Sequence, residues 1–559
     1  MKKKLALLTL AALSTITLSA CSFNPFDLIG SLIYLDSSAT YSRDSEGDPD
    51  YSVDVIDHSS IDLGKDEYTP KKEKMNYTAK DYTGTSIYTI DSVPTTGDVK
   101  ILVIPVWFSN SNQHITGSLF SKSKDEVRED IATAFFDRDS RGNEKLASWK
   151  SVKRFYEEDS FGKLHLDGVV TGWYEINKRA NEISNNASTV SLVKNAVSWA
   201  KSTYKDVDWT EFDSDNNGFL DCVCLIYGYH NSNYREGFSG FSGPSRSNDN
   251  LWAYTFWVQD QKLKNQTNPG ANTFLWASYD FMYQEYSGGT NTENGKVDAH
   301  TFIHEFGHCM GLEDYYDYNS NNSSCKSGGF SMQDYNVGGH DPYSRTVLGW
   351  VDPYVPTNDC EITIEPFEKS GDCVLLSPNF VNSPFDEYIL LEYYTAEGLN
   401  EFDNATEWQK GYPTGSKYGG IRAWHVDSRL LEYKKYPEAV DVGYQISKTI
   451  NKNYYYTLGL SNTTYSRAYA DYCSACPDLR DFALLQLVRN NASSTFRPGE
   501  KEFMNVGDLF IENDTFSLNE FSKQFVKGTT LDNGLELPIN VTVTSLTSES
   551  ATLKIEIVK

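Results

Sequence analysis

Residues 304 to 314 read His-Glu-Phe-Gly-His-Cys-Met-Gly-Leu-Glu-Asp, an HExxHxxGxxD string that leaves this stretch of chain few ways to fold. On a helix, His304 and His308 are four residues apart, so both imidazoles project from one face and can grip a single ion. Gly311 follows the second histidine by three positions, where a residue that tolerates positive φ can end the helix and reverse the chain. Asp314 can then return to the metal as a third ligand. Asp317 and His340 compete for that place, because Asp binds zinc less often than a further His does. Zinc accepts this mixture of imidazole nitrogen and carboxylate oxygen, and its bound water, with a pKa lowered to about 7, would have Glu305 beside it as a base. The flanking Phe302, Ile303, Phe306, Met310 and Leu312 suit a buried helix rather than a solvated one. His300 falls one turn earlier on the same face and is expected in a supporting or surface role rather than as a ligand.

With these residues in view, the chain resembles the metzincin zinc peptidases, and within them the immune inhibitor A family, whose third ligand is of the Asp type. The resemblance extends through 101–108, 213–227, 340–350 and 419–427. These match, in order, an early apolar strand, an acidic loop, a helix ending in Leu-Gly-Trp, and a Gly-Gly-Ile-Arg-Ala-Trp-His-Val-Asp strand. It implies a methionine turn beneath the metal, for which Met332 in Gly-Gly-Phe-Ser-Met-Gln-Asp-Tyr-Asn is the candidate. It also implies a tyrosine after that turn, Tyr335, as an oxyanion donor. Phe330-Ser331 stand where the family pattern would carry an acidic pair, which leaves a supporting carboxylate there in question.

The first residues suggest an address. Lys2, Lys3 and Lys4 precede an apolar run that closes in Leu18-Ser19-Ala20-Cys21, the layout of a signal peptide at 1–20 ending in a bacterial lipobox. Cys21 would be lipidated and anchor an exported protein to the membrane at the cell surface. A formal net charge of −27 argues against nucleic acid as a partner, since neutralising phosphates requires surplus Lys and Arg. Eight of the nine cysteines remain, an even count that permits disulfides such as Cys309 with Cys325 or Cys360 with Cys373, but the spacing does not set the connectivity. Cys473 and Cys476 form a lone CxxC, better suited to a local disulfide or free thiols than to a zinc ribbon.

Residues 21–95 read as a tether or pro-segment, 96–355 as the catalytic domain and 356–559 as a β-rich domain. The expected class is α+β, with a mixed twisted sheet over a metal-bearing helix, then a β-sandwich. Strands are expected within 99–107, 164–174, 222–229, 251–258 and 273–280, and helices over 126–136 and 190–204. Asp341-Pro342 should open a further helix, and an extended peptide substrate should pair with an edge strand in 251–258 or 273–280. The loop Asp213-Ser-Asp-Asn-Asn-Gly-Phe-Leu-Asp221 offers oxygen from Asp213, Asp215, Asn217, the Phe219 carbonyl and Asp221, with Gly218 at the sharp turn. This arrangement suits calcium, although Cys224 stands where an EF-hand places its last Glu, and an apolar strand follows. Glu392 and His425 are expected to be satisfied polar groups near a domain junction. The function that follows is a surface-anchored zinc endopeptidase acting on extracellular proteins. A zinc amidase or deacetylase, and a calcium-bearing adhesin with a vestigial zinc site, are its rivals.

Overall fold

The apolar run that begins at Val99 becomes the centre of a mixed sheet in the computed structural model. The structure describes residues 63–64, 68–80, 92–111, 122–139, 141–230, 251–283, 297–316, 326–334, 338–405, 414–434, 443–446, 455–457, 483–495 and 503–558. Strand β1 (Gly97–Trp107) is followed by helices α1 (Lys124–Phe136) and α2 (Val152–Asp159), then by β2 (Leu164–Val170) and β3 (Tyr174–Glu175). Helix α3 (Asn186–Thr203) leads to β4 (Val223–Tyr227), β5 (Tyr254–Trp257) and β6 (Thr273–Ser278). The sheet order is β2-β1-β4-β6-β5, with β3 also on β1; all pairs are parallel except β5 with β6. Parallel neighbours require crossovers, and the helices supply them while covering both faces. Val99, Ile101 and Val103 therefore enter one core with α1, α2 and the helix that carries His304 and His308, whereas Leu102, Ile104 and Val106 enter another with α3.

Local signals account for the helix ends. Ser123 and Glu126 form a reciprocal capping box on α1, and Asn185 caps α3. The third layer is α4 (His300–Cys309), whose Phe302, Ile303 and Phe306 are buried against the sheet side shared with α2. Helix α5 (Pro342–Val347) starts as expected, with Asp341 as N-cap and Pro342 in its first turn. Of the two strands considered for substrate pairing, β6 is bonded on both sides and cannot serve; only β5 forms the sheet edge.

Further along come β7 (Cys360–Ile364), α6 (Phe367–Ser370), β8 (Cys373–Leu376), β9 (Glu387–Tyr394), β10 (Gly420–Asp427), β11 (Leu430–Lys434), β12 (Gly443–Ile446), β13 (Tyr455–Thr457), β14 (Leu485–Val488), β15 (Thr515–Ser517), β16 (Ile539–Leu546) and β17 (Ala551–Ile557). They form antiparallel sheets β14-β10-β9-β8, β12-β11-β13 and β15-β16-β17-β7. The first of these is buried on both faces. Leu375, Leu390, Trp424 and Leu487 join the core beneath α4, while Val374, Ile389, Leu391 and Ala423 join a core shared with Val541, Val543, Leu553 and Ile555 of the last sheet. Successive residues of a strand point to opposite faces, so all eight residues of β9 and of β10 are buried.

Neither of the cysteine pairs that the count permitted is formed. Cys360 and Cys373 are free thiols because they sit on strands of different sheets. Cys309 is also free, and its sulfur lies 3.6 Å from that of Cys222 beneath α4. Cys325, Cys473 and Cys476 lie outside the described residues. Parts of the presumed tether are packed in place, with Met75, Ala79 and Val93 buried and the Val93 N–H donating to the Cys309 carbonyl at 2.8 Å. Among the described residues no helix is long and apolar enough to cross a membrane.

Candidate metal centre

Helix α4 is held to its neighbours through its own carbonyls. The Tyr156 hydroxyl donates to the Ile303 carbonyl at 2.6 Å and the Thr255 hydroxyl to that of Glu305 at 2.8 Å. Both fix the rotation of the helix, and so the direction in which His304 and His308 leave it. The helix ends in a Schellman motif: the Gly311 N–H donates to the His308 carbonyl at 3.0 Å and the Leu312 N–H to that of Gly307 at 3.1 Å. Gly311 has φ +101°. A side chain there would strain the reversal, so Gly311→Ala is expected to cost about 1–2 kcal/mol and to weaken metal binding by displacing Asp314, read as a lower urea midpoint and easier chelation. An unchanged midpoint would show that the turn tolerates a Cβ.

The reversal brings Asp314 against the two histidines. His304 Nε2 and His308 Nε2 lie 3.0 and 3.1 Å from Asp314 Oδ1, and 3.2 Å from each other. His304 Nδ1 lies 2.9 Å from the Met332 carbonyl and His308 Nδ1 lies 2.8 Å from that of Leu312. A carbonyl oxygen only accepts, so each Nδ1 carries the proton and each Nε2 turns a lone pair toward the same point. Two imidazole nitrogens and a carboxylate oxygen converging in this tautomer fit a transition-metal ion of the zinc type. Electrostatics point the same way. Burial opposes charge on His308, yet the Asp314 carboxylate outweighs it and raises the imidazole pKa to about 10. Burial likewise works against ionised Asp314, but His308 and His304 hold it well below the usual carboxylate range. The pocket is built to hold positive charge. Glu305, next on the helix, is buried, and its charge reaches the His308 ring.

Of the alternatives for the third ligand, Asp317 lies outside the described residues and His340 is engaged elsewhere. His340 Nδ1 lies 2.6 Å from Asp159 Oδ2, and its Nε2 lies 3.2 Å from Gln333 Oε1. Gln333 Nε2 in turn lies 3.3 Å from His308 Nδ1; both are donors in this tautomer, so Gln333 abuts the His308 ring without bonding to it. Gly307 permits it, because a Cβ there would stand 2.4 Å from Gln333 Oε1. Arg345 closes the network at 2.9 Å from Asp159 and 2.6 Å from Glu368. Burial raises the Glu368 carboxyl to about 7 despite the Arg345 guanidinium. Sequence reasoning singled out neither Gln333, Asp159, Arg345 nor Glu368. Only the position of Gln333 directly after Met332 could have pointed to it.

Met332 is fully buried with Phe306, Met310 and Phe330, and Ser331 and Asp334 close a turn around it at 2.9 Å. The carboxylate near this turn comes from Asp341, which accepts from the Ser331 hydroxyl at 2.7 Å. Tyr335 and Cys21 lie outside the described residues. His300 is buried at the start of α4, not on the surface, and is not grouped with the ligands. Glu392 is a paired polar group, 2.8 Å from Arg422 Nε and accepting from the Trp424 indole at 2.8 Å.

In the acidic loop, Asp213, Asp215 and Asp221 present carboxylate oxygens within 4.8 Å of one another. The Asn217 and Gly218 N–H groups donate to Asp213 at 2.8 and 2.9 Å, the Ser214 N–H reaches Asp221 at 3.1 Å, and the Phe219 N–H donates to Asn217 Oδ1 at 2.8 Å. Lys80 pairs with Asp215. Burial pushes the Asp221 carboxyl up to about 8 in spite of the Ser214 N–H.

Residues 92–332 match the family model described as immune inhibitor A peptidase M6, catalytic domain. The chain is also 26% identical over 305 residues to a protein named Immune inhibitor A from Bacillus thuringiensis subsp. alesti. That alignment covers 45% of this chain and 40% of the relative, so the chain spans well under half the relative's length. Family match and ligand geometry coincide on one stretch: residues 92–332, which hold His304, His308 and Asp314, are similar to the catalytic domain of an immune inhibitor A peptidase.

Proposed function

We propose that the chain is a zinc-dependent endopeptidase of extracellular proteins, exported and held at the bacterial cell surface by a lipid on Cys21. In this reading a metzincin-type catalytic domain at 96–355 precedes a β-sandwich at 356–559. The observation that carries it is the convergence of His304 Nε2, His308 Nε2 and Asp314 Oδ1 within 3.2 Å, with both rings fixed in the ligating tautomer. A zinc ion held by these three residues would supply Lewis acidity and a bound water of lowered pKa. Glu305 takes the proton of the attacking water and hands it to the departing amine. The Met332 and Leu312 carbonyls keep the ligand rings from turning, and β5 offers the edge on which an extended peptide can pair. Digestion of casein or a peptide library, with metal analysis of the same preparation, tests this; a zinc-loaded protein that leaves peptides uncut while releasing acetyl groups from non-protein amides would overturn it.

A structural calcium ion in the loop at 213–221 completes the proposal, supported by the three gathered carboxylates. Without an ion the folded chain keeps its proton on Asp221 up to about pH 8, whereas an unfolded Asp loses it near about 3.9. The folded state then binds more protons between those values, so the ion-free protein loses stability as pH rises through them. Calcium restores it by favouring the ionised carboxylates. In a His304→Ala/Asp532→Asn variant, chelation is therefore expected to lower the melting temperature more at about pH 9 than at about pH 5. An equal effect at both, or none, would remove calcium from this loop.

A further inference from the structure

We infer that the protein holds a second transition-metal ion of the zinc class, bound by Glu387, His425 and Asp532 between the two large antiparallel sheets of its C-terminal half. One ligand atom from each of these residues lies within 4.8 Å of the other two. His425 Nε2 stands 2.9 Å from Glu387 Oε1, close to the 3.0 and 3.1 Å that separate the histidines from Asp314 in the catalytic cluster. Glu387 begins β9, His425 lies in β10, and both project with Ile389, Leu391 and Ala423 into the core between the sheets. Asp532 comes from the turn before β16.

The residues are 1%, 3% and 4% exposed, so the group is closed to water. Both carboxylate oxygens of Asp532 are buried without a hydrogen-bond partner among the described residues. A carboxylate so placed is costly unless a cation meets it. The neighbouring positive charge is already committed: Arg429 is bidentate with Asp427 at 2.7 and 2.7 Å and stays 3.8 Å from Glu387. Glu387 meanwhile accepts from the Asp532 and Asn533 N–H groups, which draws the Asp532 carboxylate toward a second negative charge. A divalent cation between them neutralises both carboxylates and uses the imidazole as its nitrogen ligand. Mixed nitrogen and oxygen donors favour zinc over calcium. With no open position toward solvent, the ion is structural, and it clamps the turn at 531–533 onto the sheet.

The test is zinc content of the full chain in calcium-containing buffer, after removal of loosely bound metal. Wild type is expected to hold two equivalents, and a His304→Ala/His308→Ala variant one. Adding the near-isosteric Asp532→Asn should remove the remaining equivalent, and with it the rise in melting temperature that zinc gives the double variant. Asp532→Asn alone should take wild type from two equivalents to one with peptide cleavage retained, which separates this ion from the catalytic one. A single equivalent in wild type, or two equivalents undiminished by Asp532→Asn, would overturn the inference and leave the cluster as a proton-sharing network.

Discussion

Glu305→Gln is expected to lower kcat/KM for peptide cleavage by about 10³-fold, a loss of about 4 kcal/mol of transition-state stabilisation, with metal content and melting temperature unchanged. The substitution keeps the shape of the side chain and takes away its basicity. Glu305 makes no part of the ligand cluster, which consists of His304, His308 and Asp314, so the ion should stay bound. Its backbone carbonyl, not its side chain, is what Thr255 holds, so α4 should keep its position. Removing a buried charge that reaches His308 will shift the pH profile of any residual activity. Cleavage within tenfold of wild type would exclude Glu305 as the base, and loss of metal together with activity would assign it to ligand support instead.

Asp159→Ala is expected to destabilise the protein by about 3–5 kcal/mol, because removing one partner of a buried ion pair leaves the other charge uncompensated. Asp159 has no solvent-exposed side-chain surface, and it receives the Arg345 guanidinium, the His340 ring and the His340 N–H. Burial opposes its charge, yet Arg345 and His340 keep its pKa lowered, so it is ionised throughout the working range. Without it, Arg345 keeps only Glu368, and His340 loses the contact that aims it at Gln333. Partners behind a ligand histidine commonly change metal affinity by about 10-fold or more, so competition with a chelator should become easier as well. Asp159→Asn should keep the shape and lose most of the same stability. A denaturant midpoint within about 1 kcal/mol of wild type would show that the network is decorative.

What the sequence disclosed was local. The 304–314 string carries its own periodicity, turn residue and return distance, and Asp341-Pro342 announces a helix start, so these elements were legible without any distant partner. The supports of the site were not, because they are made across the chain: His340 meets Asp159 over 181 residues, and nothing near either names the other. Cysteine neighbours were illegible for a related reason. Counting thiols assumes that proximity follows spacing, whereas Cys309 faces Cys222 from 87 positions away and Cys360 and Cys373 diverge onto different sheets. The burial of β9 on both faces had a signal that alternation hid: Glu-Tyr-Ile-Leu-Leu-Glu-Tyr-Tyr is nearly continuous in apolar and aromatic residues, the pattern of a strand with no wet side.

The sheet β14-β10-β9-β8, packed beneath α4 on one side and against the last sheet on the other, sets how the molecule can be divided. The family-model match ends at residue 332, yet the apolar floor under the histidine-bearing helix is laid by Leu390, Trp424 and Leu487, and Glu368 answers the arginine that holds Asp159. Resemblance and architecture draw their borders in different places. A fragment trimmed to the matched segment would shed the apolar residues on which its histidines rest, so the packed unit here is larger than the recognisable one.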